Sequence, residues 1–295
     1  MVIMTDKEVS TLKKSSSPWV LARKKFSKNK LAMISLTFIM IVIVLSFLAP
    51  YITTKDIVRV DLMKISLPPS SEHWLGTDTN GRDVFTRMLY AGRSSLTIGL
   101  AGMLLIVLVG TTIGAISGYF GGRIGQLLMR LTDFVLMFPF LVFVIVLNTI
   151  LSGIWTLIIV IAFLNWGGVA RIVRSRVLAE KENEYILAAK SIGTKPFKII
   201  MKHLLPNVAS TIIVHATLLL AVTIVIESGL SFLGFGVPAD TPSWGNMLAE
   251  ARNSDVLYNK TWMWVPPATA ITLVILSINF IGEGLKDAMN PKSRR

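Results

Sequence analysis

The chain contains no cysteine. That excludes a disulfide framework, a thiolate nucleophile and any cysteine-ligated zinc site. Charge is scarce as well. Only 16% of the 295 residues are Asp, Glu, Lys or Arg, where soluble domains carry about 25%. Acids are fewer than bases, 17 against 30, giving a formal net charge of +13. The three histidines, His73, His203 and His215, share no metal-ligand spacing, and H-E-x-x-H is missing, so no metal site is expected. No G-x-x-x-x-G-K-[S/T] occurs, so the chain offers no Walker loop for a nucleotide, and no bound cofactor is expected. Ser231 lies in GLSFLG rather than G-x-S-x-G, without a His and Asp spaced to serve it. A membrane-embedded enzyme would need such a pair or a metal set within its apolar runs.

What is present is apolar sequence: 53% of residues are hydrophobic and the mean hydropathy is +0.64. The first uncharged run, LAMISLTFIMIVIVLSFLA, covers 31–49. At 1.5 Å per helical residue it spans a hydrocarbon core of about 30 Å. It exceeds the apolar core of a signal peptide and ends in Pro50-Tyr51, so it reads as a retained span. Further runs at 94–118, 134–151, 154–170, 208–228 and 265–282 make six. Their lack of polar alternation favours helices over a barrel. The expected class is an all-α integral membrane protein with six transmembrane helices.

Basic residues set an orientation. Segments 1–30, 121–133, 171–206 and 285–295 hold eight, two, eight and four Lys/Arg, or 22 of the 30. The alternate segments 50–93 and 229–264 hold six and two, set against eight acids. By the positive-inside rule both termini and the 171–206 segment are expected in the cytoplasm. The positive charge is thereby a topology signal, and no basic helix with interleaved aromatics points to nucleic acid.

The stretch KENEYILAAKSIGTKPFKIIMKHLLPN, 181–207, is the most informative. Tyr185, Ala188, Ala189 and Ile192 recur at i, i+3, i+4, i+7 and share one helix face. The alanine pair leaves that face low. Gly193 is placed to stop the helix, Thr194 to cap a second one, and Pro196 to occupy its first turn. Phe197, Ile200, Met201 and Leu204 repeat the stripe, and Pro206-Asn207 reads as the close of the unit. An amphipathic pair of this kind either lies on lipid or docks in a protein groove. The low face and glycine corner favour docking.

Ala188-Ala189, Gly193 and Leu205-Pro206 stand where the EAA loop of binding-protein-dependent ABC importer permeases has Ala-Ala, Gly and Leu-Pro. Leu187 occupies the place of the usual glutamate, and Glu184 lies one turn back. The resemblance is carried along nearly all of the chain after residue 17. HWLGTDTNGRDVFTRMLYAGRSSL, MRLTDFVLMFPFL, WGGVARIVRSRVLAEKENEYILAAKSIG, ESGLSFLGFGVPADTPSWGNML and NFIGEGLKDAMNPKSR are similar to C-type permeases of the peptide/nickel type. It implies the ABC type I importer permease fold, with Glu184, Tyr185, Leu187, Ala188, Ala189, Ile192, Gly193, Phe197, Leu205 and Pro206 forming the ATPase-coupling surface. It further implies a bacterial cell-membrane location and several partners. These are a second related permease as heterodimer partner, two cytoplasmic ATPases that carry ATP and magnesium, and an extracytoplasmic peptide-binding protein. Nickel or another small solute is the alternative cargo within the same family.

The organisation expected is a basic leader 1–30, a first span with outer segment 31–93, a core 94–284 carrying the loop 171–206, and a tail 285–295. Within the core, Gly110, Gly114 and Gly118 repeat every fourth residue, which lets a neighbouring helix approach closely. Packing inside the chain, a subunit interface and the pore all fit. Asp133 is expected at the helix N-terminus that opens the third span, with Pro139 as a kink. Glu227, near the outer end of the fifth, is either a cap or pair partner at the water interface or a candidate for the pathway and outer gate. An ion-driven transporter would need carboxylates around a midplane site, and the runs other than the fifth carry none.

Overall fold

The structure, a computed structural model, describes residues 18–151 and 153–289. Most of the leader (1–17) and the end of the tail (290–295) lie outside the described residues. The described chain is helical, with a lone bridge between Thr77 and Asp83 in place of any strand. In order, the principal helices are α1 Pro18–Phe26, α2 Lys30–Phe47, α3 Val84–Phe120, α4 Gly122–Leu136 and α5 Phe140–Ile150. They continue with α6 Ile154–Glu180, α7 Glu184–Ser191, α8 Pro196–Leu233 and α9 Val265–Met289. Five of these (α2, α3, α6, α8 and α9) are long and apolar enough to cross a membrane. The pair α4–α5, bent by 75° at its break, makes a sixth crossing if taken as one span.

Local chemistry fixes the ends. Asn29 and Asp83 cap α2 and α3, accepting from the amides of Ala32 at 3.1 Å and Thr86 at 2.9 Å. Gly234 closes α8 in the left-handed region (φ +89°), and Phe235 N donates to Leu230 O at 2.8 Å, a Schellman stop.

Two boundaries differ from expectation for stated reasons. The helix that carries the second run, expected from residue 94, starts ten residues earlier, at Val84. Nothing between Val84 and Phe120 breaks the ladder, so the 37-residue helix runs about 55 Å. Asp133 sits in the last turn of α4, not at a helix N-terminus, because the break falls later, at residues 137–139. Its carboxylate pairs with Arg171 of α6 at 2.6 Å.

The most extensive helix pairing joins α3 to α6. The four-residue glycine repeat makes it: a Cβ on Gly110 would meet Val169 Cβ at 2.7 Å, one on Gly114 the Ala170 carbonyl at 2.5 Å, and one on Gly118 Val177 Cβ at 2.8 Å. The repeat therefore serves packing within the chain. One apolar core runs along α3, α6 and the 186–208 region; a second joins α2, α3, α8, α9 and the Trp244 loop.

Functional elements gather at opposite ends of α3. Segments 53–83 and 234–264 fold over its N-terminal end, where Thr79 bonds Glu250 and Trp262 bonds Thr77. The 181–204 insert sits by its C-terminal end, where Lys190 Nζ lies 5.4 Å from the Tyr119 ring centre.

Candidate functional site

The insert begins at Glu184, and α7 ends where Gly193 takes φ +76°. No neighbour lies within 4 Å of a Cβ built on Gly193, so only the backbone conformation requires glycine there. Gly193 N donates to Lys190 O and Thr194 N to Ala189 O, each at 3.0 Å. Thr194 is used up in this stop. Lys195, not Thr194, stands at the N-cap of the next helix, without a side-chain cap, and Pro196 fills its first turn.

Pro206 does not close the unit. α8 starts at Pro196, widens into a π turn at Ile200–Leu204, and continues unbroken to Leu233. A proline lacks an N–H and crowds the carbonyl four residues back. The π turn opens the helix just ahead of it, and Leu205 N donates to Ile200 O instead. Asn207 Nδ2 then donates to His203 O at 2.9 Å and to Tyr185 Oη at 2.7 Å. Tyr185 in turn donates to the Glu180 carboxylate. One phenol thus ties α7 to the end of α6 and the start of α8.

The two faces of the insert divide sharply. Ile186, Ala189, Ile199, Ile200 and Leu204 are buried in the core. Facing solvent are Tyr185, Leu187, Ile192, Phe197 and Met201, with Ile192 and Phe197 82% and 74% exposed. Glu184, Ala188 and Pro206 are exposed and Leu205 is half-buried. The expected stripes therefore split. Ala189, Ile200 and Leu204 point inward because Ile186 and Ala189, one turn apart, together anchor α7, and the π turn rotates α8. Leu187 joins the outward face. Ile186 and Ile199, absent from the sequence-level stripes, are the anchors; Ile186 stands three positions from Ala189, whereas Ile199 stands one from Ile200 and five from Leu204, a spacing that a π turn and not an α-helical period brings to one face.

At the other end the chemistry is polar. Asp83 caps α3 and also accepts from Lys55 Nζ at 2.8 Å and contacts His73 Nδ1 at 2.7 Å. Desolvation pushes this carboxyl up. Bonds from Lys55, the Thr86 amide and His73 outweigh it and hold the group below the usual carboxylate range. Asp78 pairs with Arg82 at 2.7 Å and lies 3.5 Å from Arg87 Nε. Arg87, buried, donates to Ile57 O at 2.7 Å.

Glu227 is fully enclosed. Ser95 Oγ donates to one carboxylate oxygen at 2.9 Å and Ser231 Oγ to the other at 2.8 Å. Trp244 N donates to Ser95 Oγ and Val237 N to Ser231 Oγ, both at 3.2 Å. The carboxylate, enclosed rather than at the water interface, pins the 237–244 loop to α3 and α8. No group of three metal-ligating side chains occurs among the described residues.

An all-α chain with five or six candidate crossings and large apolar side chains exposed at one end is a multi-pass membrane protein. Comparison with known proteins narrows the class. Residues 110–295 match the binding-protein-dependent transport system inner membrane component family, and 17–69 the N-terminal TM domain of oligopeptide transport permease C. The chain is 40% identical over 292 residues to the dipeptide transport system permease protein DppC of Bacillus subtilis, covering 98% of this chain and 91% of that one. It is 39% identical over 284 residues to the oligopeptide transport system permease protein OppC of the same organism, covering 96% and 92%. To OppC of Lactococcus lactis subsp. lactis it is 40% identical over 268 residues, covering 90% and 91%. The chain belongs to the binding-protein-dependent permease family, as the EAA-like loop implied.

Proposed function

We propose that this chain forms half of the translocation pathway of an ATP-driven importer for peptides. The relatives' names support peptides as cargo, and the family calls for a binding protein and an ATPase as partners. The other half is a second related permease, and two ATPases sit beneath the pair, holding all the nucleotide and magnesium. The insert end is cytoplasmic, as the 22 of 30 basic residues on its side favour. The loop end faces outward, toward a peptide-binding protein.

The observation that carries the reading is the exposed rim of Tyr185, Leu187, Ile192, Phe197 and Met201 on a buried base. Glu184, Ala188 and Gly193 complete the surface, and Leu205 and Pro206 shape its exit. Large apolar side chains held rigidly in water mark a partner surface. An ATPase that closes on ATP must transmit its preference for the closed state through a stiff connector. The insert is stiff in the required direction: α8 joins rim and span without a loop, and Tyr185 bridges α6, α7 and α8. With Leu187 in the usual glutamate's place, seating rests on apolar contact.

Reconstitution with the binding protein, the second permease and the ATPases tests this. ATP-dependent uptake of defined peptides is expected. Uptake that runs without ATP and follows a proton gradient contradicts it.

A further inference from the structure

Between the two outer segments lies a cleft of about 630 Å³, within the range of roughly 300–1,000 Å³ typical of small-ligand sites. It opens at the end of the molecule opposite the insert. One wall carries Asn80, Arg82 and Arg87 from the entry to α3; the other carries Ala239, Glu250 and Arg252 beyond α8.

The cleft lining holds three arginines and two acids, and a third acid, Asp240, lies near enough to act on Arg87. Its acids are already engaged: Asp78 by Arg82 and Arg87, and Glu250 by Thr79 Oγ1, which donates to it at 2.7 Å. Burial also raises the Glu250 carboxyl toward its neutral form, against the pull of the Thr79 bond. Three guanidinium groups face the space. Arg252 is exposed, donates from Nε to Ala249 O at 3.2 Å, and has no ion pair among the described residues. Gly234 borders it with no side chain; a Cβ there would lie 3.8 Å from Arg252 Nη1. A planar donor fork with unspent N–H groups, in a cleft lined by two further arginines, is suited to a carboxylate.

We propose that this outer cleft receives the C-terminal carboxylate of a peptide, with Arg252 as the residue that meets it first and Arg82 behind it. That a peptide bears the carboxylate rests on the importer reading; that the cleft selects an organic anion does not. The cleft is a holding site at the entrance, and it gives the permease a preference of its own for free over blocked peptide C-termini.

The chain has no cysteine, so Ala239→Cys puts a single thiol of this chain on one wall and Asn80→Cys puts one on the other. In the intact complex without ATP, modification of that thiol by an anionic thiosulfonate is timed with and without trialanine or trialanine amide. Trialanine is expected to slow modification and its amide to leave the rate unchanged. Arg252→Gln should raise the concentration for half-protection about tenfold, the usual effect of losing a hydrogen bond to a charged group, and Arg252→Lys less. Equal protection by the amide, no protection by either compound, or protection by the binding protein alone irrespective of peptide overturns the proposal. Because labelling needs neither ATP nor transport, its failure is distinguishable from failure of the importer reading, which the uptake assay tests separately.

Discussion

The two ends of the molecule are built on opposite principles. At the loop end nearly every functional group has a partner within the chain: Asp83 has a cap, a lysine and a histidine, and Asp78 two arginines. At the insert end the base is packed, but the rim leaves Ile192 and Phe197 in solvent. The first is paired internally except at Arg252 of the outer cleft. The second is complete only when something covers it. Polar networks fix a shape because each member is costly to leave unpaired, whereas an exposed apolar rim stores affinity for a partner. That division suits a machine gripped from one side and held rigid on the other.

The contrast breaks most severely at Asp83. Asp83→Ala removes a helix cap and a buried ion-pair partner and should cost about 3–5 kcal/mol of stability. Uptake per folded molecule should be unchanged, as thermal unfolding in detergent and uptake normalised to folded protein will report. At the rim the reverse is expected. The double variant Ile192→Asp, Phe197→Asp should lower uptake at least tenfold, the usual scale for hot-spot residues, with its melting temperature unchanged.

Adjacent alanines sharpen the boundary between base and rim. Ala189 is buried and Ala188 exposed. Ala189→Trp should cost about 1–3 kcal/mol by overpacking, while Ala188→Trp should leave stability alone and weaken ATPase co-purification. The smallest effect expected is in pH. Because the Asp83 carboxyl lies below its ordinary value in the folded chain, its contribution is present above about pH 4 and lost as pH falls through the lowered folded value. The stability difference between the native chain and Asp83→Asn should therefore shrink on acidification below about pH 4, as melting curves across that range will measure.

Much of this was legible in the residues. The six apolar runs each correspond to a helix or to the bent pair, because long uncharged stretches leave a membrane chain few other choices. Gly110, Gly114 and Gly118 announced a close helix contact, and the structure identifies α6 as the partner. The EAA-like spacing located the insert. What sequence spacing left out depended on long-range neighbours. Ala189 turns inward because the core lies on that side of α7, which no periodicity within eight residues can specify. The pairing of Glu227 with Ser95 joins residues 132 positions apart. That of Thr79 with Glu250 spans 171. The continuity of α8 through Pro206 was hidden because a proline usually signals an end, and here a π turn absorbs it.

The central claim is that the rim at 185–201 is covered by an ATPase subunit. Its most direct test uses the cysteine-free chain, with a thiol introduced by Phe197→Cys and probed in membranes with and without the ATPases. The account predicts rapid modification by a water-soluble maleimide when the ATPases are absent, strong protection when they are present, and a disulfide crosslink to a cysteine in the ATPase cleft. A thiol that resists water-soluble reagents without the ATPases, reacts with a lipid-borne probe and is indifferent to their addition would place the rim in the bilayer and contradict it.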